Sequence, residues 1–241
     1  MSTDPRNESG GASSVLRIED LAFGYGSDPL LDIAHFEVGR GESVFLRGPS
    51  GSGKSTLLSV IGGILRPWSG RVEVCGRDMA TAPSGTRDRL RARHLGIIFQ
   101  QLNLLPYLDV VGNVTLACRF SPHRAREAAA VDGSVRASAL RLLHELGLPE
   151  SHLARPVGEL SVGQQQRVAV ARSLIGAPDL VVADEPTSAL DTSNRDRFIE
   201  LLDGQRARTG CALLFVSHDE TLARHFDRAV DLPAINAPVP A

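Results

Sequence analysis

Apolar residues occur along this chain in short runs that alternate with longer stretches of helical spacing. Runs such as Ser43–Arg47 and Leu180–Asp184 are almost wholly apolar, as expected of strands covered on both faces by helices. The predicted strands are Val15–Leu21, His35–Val38, Ser43–Arg47, Arg71–Cys75, Leu95–Phe99, Leu180–Asp184 and Cys211–Ser217. This pattern predicts an α/β fold with a mainly parallel core sheet, to which the strands near the N-terminus add an antiparallel portion.

The stretch from Asp109 to about Arg155 departs from this alternation, because it is rich in Ala, Leu and Arg and contains no convincing strand. We interpret it as a helical insertion between two core strands, within a helical subdomain of about residues 100–165. The core domain is predicted to span residues 15–232. Residues 1–14 are predicted to be a polar, disordered arm, and residues 233–241 a flexible tail, since the segment from Leu232 onwards has too many prolines for a helix.

Composition and charge narrow the class of protein. A chain of 241 residues with 42% hydrophobic residues fits one large domain with an inserted subdomain. Its net charge of −2 provides no overall attraction to nucleic acid or anionic lipid. Cys75, Cys118 and Cys211 show no metal-binding or redox spacing, so we interpret them as reduced and buried in a cytosolic protein. No apolar run approaches the roughly 20 residues needed to span a bilayer.

The segment Gly48-Pro-Ser-Gly-Ser-Gly53-Lys54-Ser55 lies between the predicted strand Ser43–Arg47 and a predicted helix, Thr56–Ile61. Lys54 is the one lysine among 26 Lys and Arg residues. In the spacing G-x-x-x-x-G-K-S, backbone N–H groups and a helix N-terminus bind phosphate, and a compact ammonium reaches between phosphate oxygens. Ser55 would supply a hydroxyl to Mg²⁺. The alternative is a Gly/Ser-rich surface loop, but the flanking strand and helix favour a nucleotide site.

Two carboxylates, Asp184 and Glu185, end the apolar strand Leu180–Asp184, where α/β sheets place their ligands. Asp184 can hold Mg²⁺ through its water shell, and Glu185 can orient or deprotonate an attacking water. The alternative interpretation is a strand end followed by an acidic turn before Pro186. The phosphate-binding loop earlier in the chain favours the catalytic interpretation.

Ser161 and Gln164 form an S-x-x-Q pattern before the apolar-periodic segment Val168–Ile175. This pattern predicts a capping box and a helix that begins at Ser161. An open helix N-terminus with a Ser hydroxyl and a Gly amide can bind an anion. Because capped helices are common, the meaning of this segment depends on its place between the phosphate-binding loop and the two carboxylates.

These motifs together resemble the ATP-binding subunits of ABC transporters, over about Val15 to Leu232. The resemblance implies a P-loop NTPase fold of the ABC ATPase type. Gln100 matches the Q-loop glutamine, with Gln101 as a rival in register, and His218 matches the switch histidine, although it could be a solvent-facing turn residue. Tyr25 matches the aromatic residue that stacks on adenine, although it could be a simple turn residue. The candidate nucleotide-binding residues are Tyr25, Gly48, Pro49, Ser50, Gly51, Ser52, Gly53, Lys54, Ser55 and Thr56.

The resemblance also implies a mechanism in which ATP and Mg²⁺ are bound between two copies of the chain, or one copy and a paralogous subunit, arranged head to tail. The P-loop of one copy would close on the signature segment of the other, which consists of Ser161, Val162, Gly163 and Gln164. The implied catalytic residues are Glu185, His218 and Gln100, and the implied Mg²⁺ ligands are Ser55, Gln100 and Asp184. The implied D-loop, which would communicate across the interface, is Ser188, Ala189, Leu190 and Asp191.

One residue departs from the family pattern, which usually has Gly where this chain has Val162. A β-branched residue restricts the backbone, so we expect ATP hydrolysis that is slow without a partner. The segments Leu95–Pro106 and Ala183–Asp191 look like the branch that serves lipoprotein-releasing complexes, macrolide or peptide exporters and the cell-division ABC ATPase.

The implied partner in this branch is an integral membrane permease, gripped by Asn103–Tyr107 and the helix that follows. The protein would then lie on the cytoplasmic face of the inner membrane. Two functions fit these motifs: an ATPase that drives export or extraction of a lipoprotein, peptide or drug, and a regulatory ATPase that signals to a cell-division or envelope complex without transport. No nucleic-acid partner is expected, because the chain lacks long coiled-coil or zinc-bearing insertions.

Overall fold

The computed structural model describes residues 14–188, 190 and 192–237. The strands are β1 (Ser14–Tyr25), β2 (Asp28–Gly39), β3 (Ser43–Arg47), β4 (Ser69–Val74), β5 (Arg77–Asp78), β6 (Leu95–Ile98), β7 (Leu180–Asp184), β8 (Ala212–Val216) and β9 (Arg228–Asp231). The helices are α1 (Lys54–Ile61), α2 (Ser84–His94), α3 (Val110–Phe120), α4 (Pro122–Asp132), α5 (Val135–Glu145), α6 (Val162–Leu174), α7 (Thr192–Thr209) and α8 (Leu232–Ile235). Short 3₁₀ turns lie at Glu150–His152, Val157–Glu159 and Glu220–His225.

The strands form two sheets. The core sheet has the order β6-β7-β8-β3-β9, and every neighbouring pair in it is parallel. The second sheet has the order β2-β1-β4-β5 and is antiparallel. The predicted fold class is therefore confirmed. Because β3, β7 and β8 run parallel and side by side, the loops that follow them meet at one edge of the core sheet.

Two strands of the antiparallel sheet are longer than the sequence pattern predicted. β1 continues to Tyr25, and β2 begins at Asp28 rather than at His35. The added part of β2 alternates exposed and buried residues, because one face of an antiparallel sheet meets solvent. β5 and β9 were not predicted, since both are short and carry charged residues.

Helices α3, α4 and α5 lie between β6 and β7 in the chain and pack together with α6. Between residues 109 and 155 the structure places only helices and turns, apart from a single bridge between Asp109 and Pro156. This agrees with the predicted helical insertion, while the exact domain boundaries remain a prediction.

The prediction that no helix forms from Leu232 onwards is wrong for α8. Pro233 lies in the first turn of this helix, where its missing N–H has no intrahelical partner to lose. Leu232 is fully buried, and Asn236 bonds to the backbone of Leu30 and Asp32. Residues 1–13 of the predicted arm and 238–241 of the predicted tail lie outside the described residues, whereas Ser14 is the first residue of β1.

Cys118 and Cys211 are buried, as predicted, but the same prediction is wrong for Cys75, which is partly exposed in the turn between β4 and β5. Across the part of the chain that the structure describes, no helix combines the length and the apolar character that a bilayer crossing requires.

Candidate functional site

The loop between β3 and α1 has the shape that its glycines allow. Gly51 and Gly53 have φ angles of 81° and 95°, in the left-handed region that favours glycine. A Cβ at Gly53 would lie 2.8 Å from Leu31 Cδ2, so no larger residue fits there without movement of the β2 side chain. The loop therefore turns sharply into α1, which begins at Lys54 without a side-chain cap. Its first N–H groups remain available to an anion.

Lys54 is buried, and its ammonium lies inside the loop. Nζ donates to the carbonyl oxygens of Gly48, at 2.8 Å, and Pro49, at 3.0 Å. Ser52 Oγ is also buried and has no hydrogen-bond partner among the described residues. The loop thus presents a fixed positive charge and an unused hydroxyl at its centre.

Asp184 ends β7 with one carboxylate oxygen, Oδ1, buried and without a hydrogen-bond partner among the described residues. Burial raises the pKa of this carboxyl and the charge of Glu185 adds to the effect, whereas Ser55 and Lys54 act in the opposite direction. A buried carboxylate oxygen without a donor is costly, and a divalent cation would satisfy it. The oxygen ligands of Asp184 and Ser55 fit Mg²⁺ in type.

Glu185 and His218 are in direct contact. His218 Nδ1 lies 3.0 Å from Oε1 and 2.9 Å from Oε2 of Glu185, and Ser217 Oγ donates to Oε2 at 3.4 Å. The Glu185 side chain is mostly buried, whereas that of His218 is largely exposed. The structure therefore places a carboxylate under an exposed imidazole at the carboxyl ends of β7 and β8.

Lys54, Ser55, Glu185 and His218 line one cavity of about 530 Å³, within the range of roughly 300–1,000 Å³ typical of ligand sites. Asp184 lines a separate, smaller cavity of about 80 Å³, which also includes Ser55. The residues lining the larger cavity are Leu30, Ser50, Gly51, Gly53, Lys54, Ser55, Thr56, Gln100, Glu185 and His218. Gln100 lines the cavity and Gln101 does not, in line with the preferred register. Leu30 was missed because the part of β2 that contains it was not predicted as a strand.

Tyr25 is the last residue of β1, and its side chain is more than half exposed. Its hydroxyl lies 3.4 Å from Thr56 Oγ1, and its ring packs edge-on against Phe23 at a centroid distance of 5.3 Å. The structure thus places an exposed aromatic ring beside the start of α1.

The signature segment begins α6 and forms the predicted capping box. Ser161 N donates to Gln164 Oε1 at 3.0 Å, and Gln164 N donates to Ser161 Oγ at 3.4 Å. Ser161, Val162 and Gly163 are exposed, and Val162 has 51% of its surface accessible. None of the four signature residues lines the cavity described above. Within one copy, the structure does not bring this segment to the phosphate-binding loop.

The segment after β7 is described in part. Ser188 N donates to the Glu185 carbonyl at 3.2 Å, and Leu190 accepts from Arg195 Nε at 2.9 Å, while Ala189 and Asp191 lie outside the described residues. Sequence reasoning missed Gln166, a buried residue of α6 whose Nε2 donates to the Pro186 carbonyl at 3.1 Å. This bond ties the helix that carries the signature segment to the loop after the two carboxylates.

The chain is similar to known proteins of one family. Residues 31–188 match the family described as ABC transporter. The chain is 44% identical over 204 residues to the lipoprotein-releasing system ATP-binding protein LolD of Anaeromyxobacter dehalogenans (strain 2CP-C), covering 85% of this chain and 82% of that protein. It is 37% identical over 203 residues to the macrolide export ATP-binding/permease protein MacB of Sodalis glossinidius (strain morsitans), covering 84% of this chain but 30% of MacB.

A solved structure agrees with these relatives. The dimeric, post-hydrolysis state of the ATP-binding cassette MJ0796 bound to ADP and Pi matches with a TM-score of 0.77 at 32% identity, covering 90% of this chain and 93% of that one. The resemblance to lipoprotein-release and macrolide-export ATPases is thereby confirmed. The chain belongs to the ABC transporter family and is one of its ATP-binding proteins, which hydrolyse ATP.

Proposed function

We propose that this chain is the ATPase subunit of an export or extraction complex, in which a head-to-tail dimer drives a separate membrane permease from the cytoplasmic face. The dimer would contain two copies, or one copy and a paralogous subunit. One observation carries this proposal: each copy holds a cavity lined by the P-loop and by Glu185, yet exposes the N-terminus of α6 outside that cavity. A second copy can supply the missing helix end.

The P-loop binds the triphosphate. The N–H groups of residues 50, 51 and 53–56 face the phosphates, while the N–H of Ser52 donates to the Pro49 carbonyl. Lys54 exchanges its bonds to Gly48 and Pro49 for phosphate oxygens. The exposed ring of Tyr25 stacks on the adenine, at the side of the cavity where its hydroxyl contacts Thr56.

Mg²⁺ fits beside this loop at Ser55, which lines one cavity with Gln100 and the adjoining smaller one with Asp184; these three residues would hold the ion directly or through water. The ion would neutralise charge on the β- and γ-phosphates. Asp184 supports this assignment because its buried Oδ1 lacks a donor, an arrangement that costs free energy in the protein alone.

Glu185 acts on the attacking water. Its carboxylate, mostly buried and bonded to Ser217 and His218, orients the water and accepts its proton. His218 holds this carboxylate with Nδ1 and turns the rest of its exposed ring toward the γ-phosphate. Gln100, which also lines the cavity, links the site to the helices that follow it in the chain.

The partner copy completes the site. Its Ser161 hydroxyl and the N–H groups of Val162, Gly163 and Gln164 approach the γ-phosphate, because a helix N-terminus carries partial positive charge. The described D-loop residues Ser188 and Leu190 follow Glu185 closely, so movement at the interface reaches the catalytic carboxylate through the D-loop, which also contains Ala189 and Asp191. The solved structures of MJ0796, a cassette similar to this chain, are dimeric, which supports the pairing of two copies.

The permease docks in a groove of about 580 Å³ that is lined by α2, β6, α3, α4 and α6. Its apolar lining includes Ile97, Phe99, Leu116, Ala117 and Phe120. Arg89, Arg91 and Asn103 lie at the same groove, so an amphipathic helix with acidic ends would match it in polarity. Tyr107, 77% exposed, is part of the loop from Asn103 to Tyr107 that leads into α3.

The dimer is tested with Glu185→Gln, which keeps ATP bound but prevents hydrolysis. We expect this variant to elute as a dimer in size-exclusion chromatography with ATP and Mg²⁺, and as a monomer without ATP. The double variant Lys54→Ala, Glu185→Gln should remain monomeric. The proposal is overturned if wild-type protein releases no phosphate with or without its membrane partner and Glu185→Gln also forms no dimer.

The docking groove is tested by purifying the protein with its permease from membranes. Phe120 is 70% exposed and lines the groove, so Phe120→Glu places a charge there. This variant should no longer co-purify with the permease, whereas its ATP binding should not change. Val131→Glu is the matched control, because Val131 is 74% exposed and lies outside the groove lining. Equal recovery of the permease with both variants would place the docking surface elsewhere.

A further inference from the structure

Three side chains with metal-binding atoms meet away from the nucleotide cavity. Cys75 lies in the turn between β4 and β5, His94 is the last residue of α2, and Asp179 precedes β7. One ligand atom from each lies within 4.8 Å of the other two. None of the three lines the nucleotide cavity. Their separation in the sequence explains why the spacing of the cysteines gave no indication of this cluster.

Backbone contacts hold the three residues in place. Cys75 and Gly76 have φ angles of 50° and 69°, as in the two-residue hairpin turn of type I′, where Asn or Gly is usual at the first position. Cys75 N donates to the Val15 carbonyl at 2.8 Å, and Asp179 N donates to the His94 carbonyl at 3.0 Å. His94 Nδ1 lies 2.7 Å from Asp179 Oδ2. The three side chains therefore converge because their backbones are fixed.

We propose that Cys75, His94 and Asp179 bind a transition-metal ion of the Zn²⁺ type, with water as the fourth ligand. A thiolate, an imidazole and a carboxylate are the donors that Zn²⁺ prefers, and three protein ligands plus water complete a tetrahedron. The two negative charges of thiolate and carboxylate balance the charge of the ion. The metal–sulfur bond forms as the Cys75 thiol gives its proton to solvent, and the bonds from the ion to His94 and Asp179 replace the present hydrogen bond between His94 Nδ1 and Asp179 Oδ2.

Two features near the cluster affect metal binding: a cavity beside Cys75, and Arg40, which competes with the ion for the Asp179 carboxylate. A cavity of about 270 Å³ is lined by Cys75, Arg17, Arg40 and Glu73 but not by His94 or Asp179, so it opens onto the cluster from the side of the thiol. Arg40 Nη1 donates to Asp179 Oδ1 at 3.1 Å. Metal binding at that carboxylate weakens this ion pair, so Arg40 lowers the affinity for the metal.

Titration of nucleotide-free, chelator-treated protein with Co²⁺ tests the site. We expect one equivalent to bind with a thiolate-to-cobalt charge-transfer band, and Zn²⁺ to displace it. Cys75→Ala should remove the band, and Asp179→Asn should weaken binding at least tenfold. Cys118→Ala and Cys211→Ala are the matched controls and should keep the band, since both residues are buried elsewhere. No band, or a band that persists in Cys75→Ala, overturns the proposal.

Arg40→Gln provides a test that does not depend on removing a ligand. The Arg40 side chain is 56% exposed, so its replacement should leave the fold intact. Loss of the competing ion pair should tighten Co²⁺ binding by about two- to fivefold, the value of an exposed ion pair. Unchanged or weaker binding in Arg40→Gln would show that the ion does not bind at Asp179 and would overturn the site.

Discussion

His218 Nδ1 lies within 3.0 Å of both carboxylate oxygens of Glu185, although the two residues are far apart in the chain. The pairing of β7 with β8 creates this contact. Glu185 N donates to the Val216 carbonyl at 2.9 Å, and Glu185 adopts a left-handed φ of 46°, which is unusual for a residue with a side chain. Such strained positions often occur at functional sites.

Replacing His218 by Ala should therefore lower kcat far more than it changes the affinity for ATP. Without the imidazole, the Glu185 carboxylate keeps the bond to Ser217 as its one side-chain contact among the described residues, and it no longer has a fixed direction. We expect a loss of about 10²–10³ in the rate of phosphate release, the scale of a lost positioning or acid–base group. Steady-state phosphate release and equilibrium ATP binding measure the two quantities.

His35→Ala serves as the control, because His35 is an exposed residue of β2 whose neighbour is Glu37. Its kcat should equal that of the wild type. If His218→Ala weakened ATP binding as much as it slowed hydrolysis, His218 would be a substrate-binding residue and not a partner of Glu185.

Arg124 is a buried cation in α4 that bonds only to carbonyl oxygens among the described residues. Its guanidinium donates to the carbonyls of Ile175 at 2.7 Å, Ser173 at 2.7 Å and Leu95 at 3.2 Å. Two of these carbonyls lie at the C-terminal end of α6, where partial negative charge accumulates. Burial lowers the pKa of Arg124 to about 10, so it remains charged at neutral pH.

Arg124→Met should lower the free energy of unfolding by about 3–5 kcal/mol, because several buried carbonyls lose their donor together. Urea unfolding measures the change. Arg126→Met, at an exposed position of the same helix, should stay within about 0.5 kcal/mol of the wild type. Equal stabilities of the two variants would mean that water replaces the guanidinium at no cost.

A pH-dependent contact joins α4 to α5. Arg141 Nε and Nη2 donate to the two oxygens of Asp132, at 2.7 and 3.0 Å, and this bond holds the pKa of Asp132 below its usual range. A carboxyl whose pKa is lower in the folded state stabilises the fold above its unfolded pKa of about 3.9, and loses that effect as the pH falls through the folded value.

Asp132→Asn should consequently lower the free energy of unfolding by about 0.5–1 kcal/mol at neutral pH, with a difference from the wild type that shrinks as the pH falls below about 4. Urea unfolding across this pH range measures the difference. Asp88→Asn is the control, because Asp88 belongs to an exposed pair within α2 and its side chain is 64% exposed. A difference that stays constant with pH would exclude the charge of Asp132 as its source.

Features formed by residues close together in the chain could be predicted from the sequence, and features that depend on contacts between distant residues could not. Phosphate binding uses consecutive residues, so the P-loop around Lys54 and the carboxylates after β7 could be recognised from local spacing. The capping box at Ser161 is local too. The early part of β2 depends on its pairing with β1, and α8 depends on contacts of Asn236 with β2, so neither left a clear pattern in its own segment.

Side chains that meet only in the tertiary structure could not be predicted. The carbonyls that bind Arg124 come from α6 and β6, and the partners of Cys75 come from α2 and the loop before β7. Spacing along the chain contains no information about such convergence, because each residue also fits an ordinary surface or core position where it stands. The groove beside Phe120 is formed in the same way, from residues of α2, β6, α3, α4 and α6.

A substitution at Val162 can test the stability of α6 and the contact of α6 with the partner copy independently of each other. Val162 is the first residue of the helix and is 51% exposed, so a carboxylate at this position contacts no core residue. A negative charge in the first turn stabilises a helix by about 0.3–1 kcal/mol. The same charge would face the γ-phosphate bound by the other copy, where repulsion opposes closure of the dimer. Val162→Glu should therefore keep or raise the unfolding midpoint while abolishing ATP-dependent dimerisation and slowing phosphate release.

Val162→Thr is the matched control, since it keeps the β-branched shape without a charge, and it should hydrolyse ATP at nearly the wild-type rate. Thermal unfolding, size-exclusion chromatography with ATP in the Glu185→Gln background, and phosphate release provide the three readouts. Opposite changes in stability and dimerisation would locate the effect at the interface, because a folding defect would lower both. A Val162→Glu variant that still dimerises with ATP would show that the start of α6 does not meet the phosphate.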